Sequence, residues 1–166
     1  MENQFYILFL AALVPVLLKF VWFHPALFGT HWAKYTALTE QKAKNTQQIK
    51  ALLMTYLFSL LICFSIPFLV IHQTHFLSVF MNDPQLEDKN SPLWKYINTF
   101  YDTYGQNFRT FKHGAFHGFF TGLTFAGSIL GINSIMERKP AGFIWIQIGY
   151  WTLCGMLMGG IVCAWY

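Results

Sequence analysis

Four stretches of this chain, residues 5–23, 51–71, 113–136 and 141–166, hold 90 of its 166 residues and a single charge, Lys19. The other 76 residues carry 17 of the 18 Lys, Arg, Asp and Glu side chains, a density close to that of soluble proteins. Segregation on this scale leaves few places for the chain to fold. A helix needs about 20 apolar residues to cross a hydrocarbon core about 30 Å thick, and each stretch is long enough. Backbone groups in lipid must satisfy one another, so such stretches are helices or closed barrels. Alternating ten-residue segments of the kind barrels need are absent. The expectation is an all-α polytopic membrane protein, one domain over 1–166 with four transmembrane helices. Its composition agrees: 55% hydrophobic, 18 Phe, and 11% charged residues against about 25% in a typical globular protein.

The first stretch differs from a signal peptide. It has no basic n-region, since Glu2 is the one charge before Lys19, and no small-x-small cleavage site follows it. It reads as a retained helix. Orientation follows from Lys and Arg in the connections. Lys19, Lys34, Lys42, Lys44, Lys50, Arg138 and Lys139 fall on one side, against Lys89, Lys95, Arg109 and Lys112 on the other. Seven against four places both termini outside the cytoplasm, in a bacterial inner (cytoplasmic) membrane. The formal net charge of +4 is explained by these anchors, and no basic stripe with interleaved aromatics points to nucleic acid.

The connection 72–112 has a pattern of its own. Leu93, Tyr96, Ile97, Phe100, Tyr101 and Tyr104 recur at helical spacing, with Lys95, Asn98, Thr99 and Asp102 on the opposite face. Ser91 suits an N-cap, Pro92 the first helical position and Gly105 a stop. This predicts an amphipathic interfacial helix over 92–104, either a lid over the helix ends or a partner-binding surface. Helical content is also expected from Thr39 into the second span.

Gly114, Gly118 and Gly122 lie four apart on the third stretch, as do Gly155 and Gly159 on the fourth. Small residues at this spacing let backbones approach, which is how helices associate in lipid. Packing of the third helix against the fourth is expected, with a homodimer or other membrane subunits as alternative users of the same face. Pro15 and Pro67 are expected to kink the first two helices by freeing the carbonyls of Ala11 and Cys63. Cys63, Cys154 and Cys163 all fall inside spans, odd in number and without a C-x-x-C pair, as inert packing thiols do.

The histidines are clustered. His72 and His75 end the second stretch while His113 and His117 begin the third, so all four share one membrane face. His113 and His117, four apart, lie on one side of a helix, a spacing that lets two imidazoles reach one metal or haem iron. No Asp, Glu or Cys joins them, so structural histidines and no cofactor are the first expectation, with a metal ion or haem as the alternative. No span contains Asp or Glu, and phosphate-loop, Rossmann, H-E-x-x-H and G-x-S-x-G patterns are absent. Enzymatic activity is not expected. Two classes stand: a non-enzymatic accessory subunit or small transporter-like bundle, and a membrane-embedded metal or haem binder.

The run Trp22-Phe23-His24-Pro25-Ala26-Leu27-Phe28-Gly29-Thr30-His31-Trp32, followed by Leu38-Thr39-Glu40, resembles a known signature. Its pattern, aromatic-x-Pro-x-x-Phe-Gly-x-x-Trp, is that of a bacterial membrane family, the domain-of-unknown-function family numbered 1761. The Gly-rich third stretch, the Met-Glu-Arg-Lys turn at 136–139, Gly149-Tyr150-Trp151 and Met158-Gly159-Gly160 are similar too. The resemblance marks Trp22, Pro25, Phe28, Gly29 and Trp32 as motif residues and implies a four-helix integral membrane protein. It implies no catalytic residue.

Overall fold

The computed structural model describes residues 4–36 and 45–166. Lys42, Lys44 and the helix start expected at Thr39 lie outside the described residues, as does Leu38-Thr39-Glu40. The fold is all-α, with no strand among the described residues. In chain order the helices are α1 (Tyr6–Ala11), α2 (Leu13–Trp22), α3 (Gly29–Thr36), α4 (Asn45–Val70), α5 (Pro92–Tyr104), α6 (Phe111–Thr121), α7 (Gly127–Met136) and α8 (Ala141–Trp165). A single π-helical turn, Gly122–Ala126, joins α6 to α7 without breaking the rod.

Three helices are long and apolar enough to cross a membrane: Gln48–Val70, Phe111–Met136 and Ala141–Trp165. The count of four expected from composition is therefore met by three at full length. The remaining apolar helix, Tyr6–Trp22, is shorter. At 1.5 Å per residue it spans roughly 25 Å, under the hydrocarbon thickness of about 30 Å. It is also interrupted at Ala12, three residues before Pro15, which has no N–H to give the Ala11 carbonyl. Pro67 sits inside α4, which continues to Val70.

The central helix is α8. Leu8, Ala11 and Ala12 from the first segment, Cys63, Ile66 and Val70 from α4, and Tyr150, Cys154, Met158 and Val162 from α8 form one buried cluster. The Tyr150 hydroxyl donates to the Pro15 carbonyl at 2.5 Å, a buried bond that ties α8 to α2. Outward-facing residues of the long helices are large and apolar: Phe58 is 58% exposed on α4, Phe116 62% on α6 and Ile132 59% on α7. A soluble protein rarely leaves contiguous apolar surface of this extent. Lipid is the solvent that suits it.

Contact between α6 and α8 is made at the backbone. A Cβ on Gly118 would collide with the Gly155 carbonyl, and one on Gly114 with the Gly159 carbonyl and Cys163 Cβ. In the reverse direction, Cβ atoms on Gly155 and Gly159 would stand 2.6 Å from the Gly118 carbonyl and 2.5 Å from the Gly114 carbonyl. A Cβ on Gly122 would stand 2.8 Å from the Thr152 Cα. This face of α6 is thus occupied within the chain.

Between α4 and α6 the chain leaves the bundle. It ends α4 at Val70 and makes short 3₁₀ turns at His72–His75, Leu77–Phe80 and Pro84–Leu86 before α5. Helix α5 has the expected bounds because its signals are local. The Ser91 hydroxyl accepts from Trp94 N–H at 3.2 Å, Pro92 takes the first position and Gly105 closes the end. Its apolar stripe is covered at the centre, where Ile97 is 1% exposed and Phe100 stacks on Phe76 with centroids 3.6 Å apart, while Tyr96 and Tyr104 stay exposed.

Gly118→Ala should force α6 away from α8 and lower stability by about 1–3 kcal/mol, the usual cost of overpacking. Gly131→Ala is the control, because its Cβ would meet nothing nearer than 3.9 Å. Thermal melts in detergent should show a clear fall in Tm for the first and none for the second. Equal melting of both would mean that the two backbones are not in contact.

Candidate metal centre

The two ends of α8 carry different residues. At its beginning stands the aromatic signature. After α2 the chain turns on itself, with Phe28 N–H donating to the Trp22 carbonyl at 3.3 Å and Gly29 N–H to the His24 carbonyl at 3.1 Å. Gly29 is needed at this point, since a Cβ would collide with the Phe23 carbonyl. Pro25 lies exposed in the turn. The turn brings Trp22 against Phe28 (4.6 Å between centroids) and Phe23 against Trp32 (4.7 Å), while Trp32 stacks on Phe143 of α8 (4.8 Å, 13° between planes). Trp22 Nε1–H donates to the Ile146 carbonyl at 3.2 Å. The contacts of Trp32 with Phe143 and of Trp22 with the Ile146 carbonyl pin α3 and α2 to α8. The motif makes a packed corner, with no cluster of reactive groups in it.

Histidines meet near the other end of α8. Thr110 caps α6, accepting from His113 N–H at 3.3 Å, so that His113 and His117 project from its first two turns. His72 follows α4 by two residues, in the first 3₁₀ turn. The Nε2 atoms of His72 and His113 are 3.0 Å apart, one donating and the other accepting. Ring centroids are separated by 5.0 Å for His72–His113, 5.0 Å for His72–His117 and 4.5 Å for His113–His117. One ligating nitrogen from each of the three lies within 4.8 Å of the others.

His75 stands apart from this group. The turn that carries it points its Nε2–H at the Phe68 carbonyl, 2.7 Å away, where it satisfies one of the last α4 acceptors. Spacing along the sequence could not separate His72 from His75, because the change from α-helix to 3₁₀ turn after Val70 decides which imidazole faces α6. The three thiols are free and buried, and Cys163 Sγ is turned toward the carbonyls of Val70 and Phe108 at 3.4 Å.

Several contacts hold the cluster's surroundings in place. The Gln73 side chain donates to the carbonyls of Tyr104 (3.0 Å) and Asn107 (2.8 Å), and the Tyr101 hydroxyl donates to the Gln73 carbonyl (3.0 Å). These bonds tie the His72 turn to α5. Arg109 Nε–H donates to the Cys163 carbonyl at 3.0 Å, anchoring the start of α6 to the end of α8. Phe108 has φ 61°, a left-handed conformation costly for a bulky residue, and its ring lies 5.2 Å from that of His113. Strain of this sort, of order 1–3 kcal/mol, persists where the surroundings over-determine the backbone and tends to gather at functional sites. A cavity of about 410 Å³ lined by His72, Phe76, Tyr104 and Phe108 adjoins the cluster on the α5 side.

Three imidazoles converging in this way are a donor set for a borderline transition-metal ion. Nitrogens bound tetrahedrally at about 2.0–2.1 Å stand roughly 3.3 Å apart, so small ring rotations would close the set on one ion. A fourth position would remain open.

The family model described as "Protein of unknown function (DUF1761)" matches residues 6–163. The chain belongs to the DUF1761 family. No curated protein and no solved structure matches it. In this DUF1761 member the signature residues and the histidines thus stand beside opposite ends of α8, the first set in packing and the second in a ligand-like cluster. Trp32→Ala should cost about 3 kcal/mol, near the low end for removing a packed aromatic, because Trp32 is half-buried between Phe23 and Phe143. Chemical denaturation in mixed micelles would measure it, and an unchanged midpoint would show that the corner does not hold α3 to α8.

Proposed function

We propose that this protein is a non-enzymatic, multi-pass protein of the bacterial cytoplasmic membrane that holds a transition-metal ion between His72, His113 and His117. The observation that carries the reading is the convergence of three ligating nitrogens from two separate chain segments within 4.8 Å. His72 comes from the turn after α4 and the others from α6, so an ion would clip two spans together at the membrane face. Zinc, copper, nickel and ferrous iron all suit imidazole, whereas magnesium and calcium require oxygen ligands. Haem suits the site less well, because rings with centroids 4.5–5.0 Å apart leave no room for a macrocycle between any two of them. No carboxylate stands in the group to act as a general base, which supports binding over hydrolysis.

In this reading the Tyr6–Trp22 segment is a fourth, short span. Both termini lie outside the cytoplasm, and α5 rests at the outer interface against the His72 turn. The metal site then faces outward, and its first partner is the bilayer. Further subunits or a second copy would dock on faces other than the glycine line that α8 covers.

Titration of chelator-stripped protein with zinc and copper should give one site per chain. His72→Ala, His113→Ala and His117→Ala should each abolish it, while His75→Ala should retain it. Only the neutral imidazole donates, so protons compete with the ion and affinity should fall as the pH is lowered. Wild-type protein that binds neither ion at pH 7.5 would overturn the proposal. Orientation is tested separately. A reporter active only outside the cytoplasm should work when fused after Tyr166 and fail when inserted after Arg138, and the reverse pattern would place the site inside.

A further inference from the structure

Beside the histidine cluster a groove of about 450 Å³ runs into the membrane-spanning part of the molecule, between α4 and the rod α6–α7, with α8 as its floor. One wall is Ile62, Ser65, Ile66 and Leu69. Thr121, Phe125 and Ile129 stand on the other. Gly118, Gly122, Gly155 and Gly159, the residues at which the backbones meet, form part of the floor, with Trp151 and Met158 beside them. The π turn Gly122–Ala126 forms part of the groove wall, and single π turns of this kind often mark functional sites.

Position links the groove to the imidazoles. His113, His117 and Thr121 lie four residues apart on one face of α6, and the last of them lines the groove. On the facing helix Leu69 and Val70 line it, and His72 follows two residues later. The imidazoles therefore stand at the mouth of an apolar channel. From Gly118 to Leu130 the lining runs roughly 18 Å at 1.5 Å per residue, a little over half of a hydrocarbon core of about 30 Å. That is the depth of one leaflet, the reach of one acyl chain hung from the membrane face.

The electrical state of the mouth selects the head group. A divalent ion on three neutral imidazoles keeps its full charge of +2 and an open fourth position. An anionic oxygen ligand fills that position and offsets the charge. We propose that the site takes a long-chain fatty acid, its carboxylate ligating the ion held by His72, His113 and His117 and its single chain lying in the α4–α6 groove. This inference rests on the metal reading above and names the ligand of the same site. Annular phospholipid, which visits any apolar groove, has neither the single chain nor a carboxylate at this depth.

The test uses full-length protein in phosphatidylcholine nanodiscs, stripped of metal or loaded with one zinc, and three probes: palmitate, hexadecanol and acetate. Zinc-loaded protein should bind palmitate at least tenfold tighter than hexadecanol, which lacks the carboxylate, and than acetate, which lacks the chain. Stripping the zinc should erase the preference for palmitate over hexadecanol. Ser65→Trp and Ile129→Trp, both at exposed groove positions, should weaken palmitate at least tenfold while zinc affinity stays unchanged. Zinc binding of normal strength with equal affinity for palmitate and hexadecanol would overturn the fatty-acid inference alone. Absence of both zinc and copper binding would overturn it together with the metal reading.

Discussion

The structure depends on backbone meeting backbone where α6 crosses α8. In lipid there is no hydrophobic force to press helices together, so contact rests on how closely surfaces fit. Gly114, Gly118, Gly155 and Gly159 supply the fit by having no side chains to keep the carbonyls apart. The close crossing fixes the distance between the rods, and α4 and the first segment then close around α8 through Cys63, Ile66, Leu8 and Ala11. It also fixes the position of α6 relative to the end of α4. His113 and His117 sit on the turn that the first glycine contact locks, which is why His72 finds them within ring contact.

Much of this was legible because its causes are local. Charge-free stretches set α4, α6–α7 and α8, and Ser91, Pro92 and Gly105 set both ends of α5 without help from the rest of the molecule. Other features answer to tertiary context. Composition gave the first stretch 19 residues, but the break at Ala12 and the turn at Trp22 leave a shorter helix, because Pro15 and the aromatic corner decide its ends. His72 and His75 were equivalent in sequence and are opposite in place, since the backbone leaves α-helical geometry between Val70 and His72. The π turn carries no sequence sign that propensity reasoning reads. Nor does Phe108, a bulky residue in a conformation that favours glycine or asparagine.

The two conspicuous sequence features do different work. Aromatic residues of the signature look like a binding motif and are fastenings: Trp22 and Trp32 hold the first segment and α3 to the start of α8. The histidines look like ordinary helix-end residues and form the one transition-metal-like donor group among the described residues. In this chain the signature packs a corner at the start of α8, while the donor group stands near the helix's other end.

The π turn has a consequence for how this helix is written into the chain. A π turn is an α-helix with one residue too many, and each α-helical residue advances the winding by about 100°. The wider coil of the π turn winds less per residue, so the five residues Gly122–Ala126 turn the chain about as far as four would in a regular helix. Deleting any one of them would restore regular winding while the glycines above keep their grip on α8 and Gly127 and Ser134 stay buried on the same side. The π turn therefore absorbs one residue without changing which side of α7 faces the bundle.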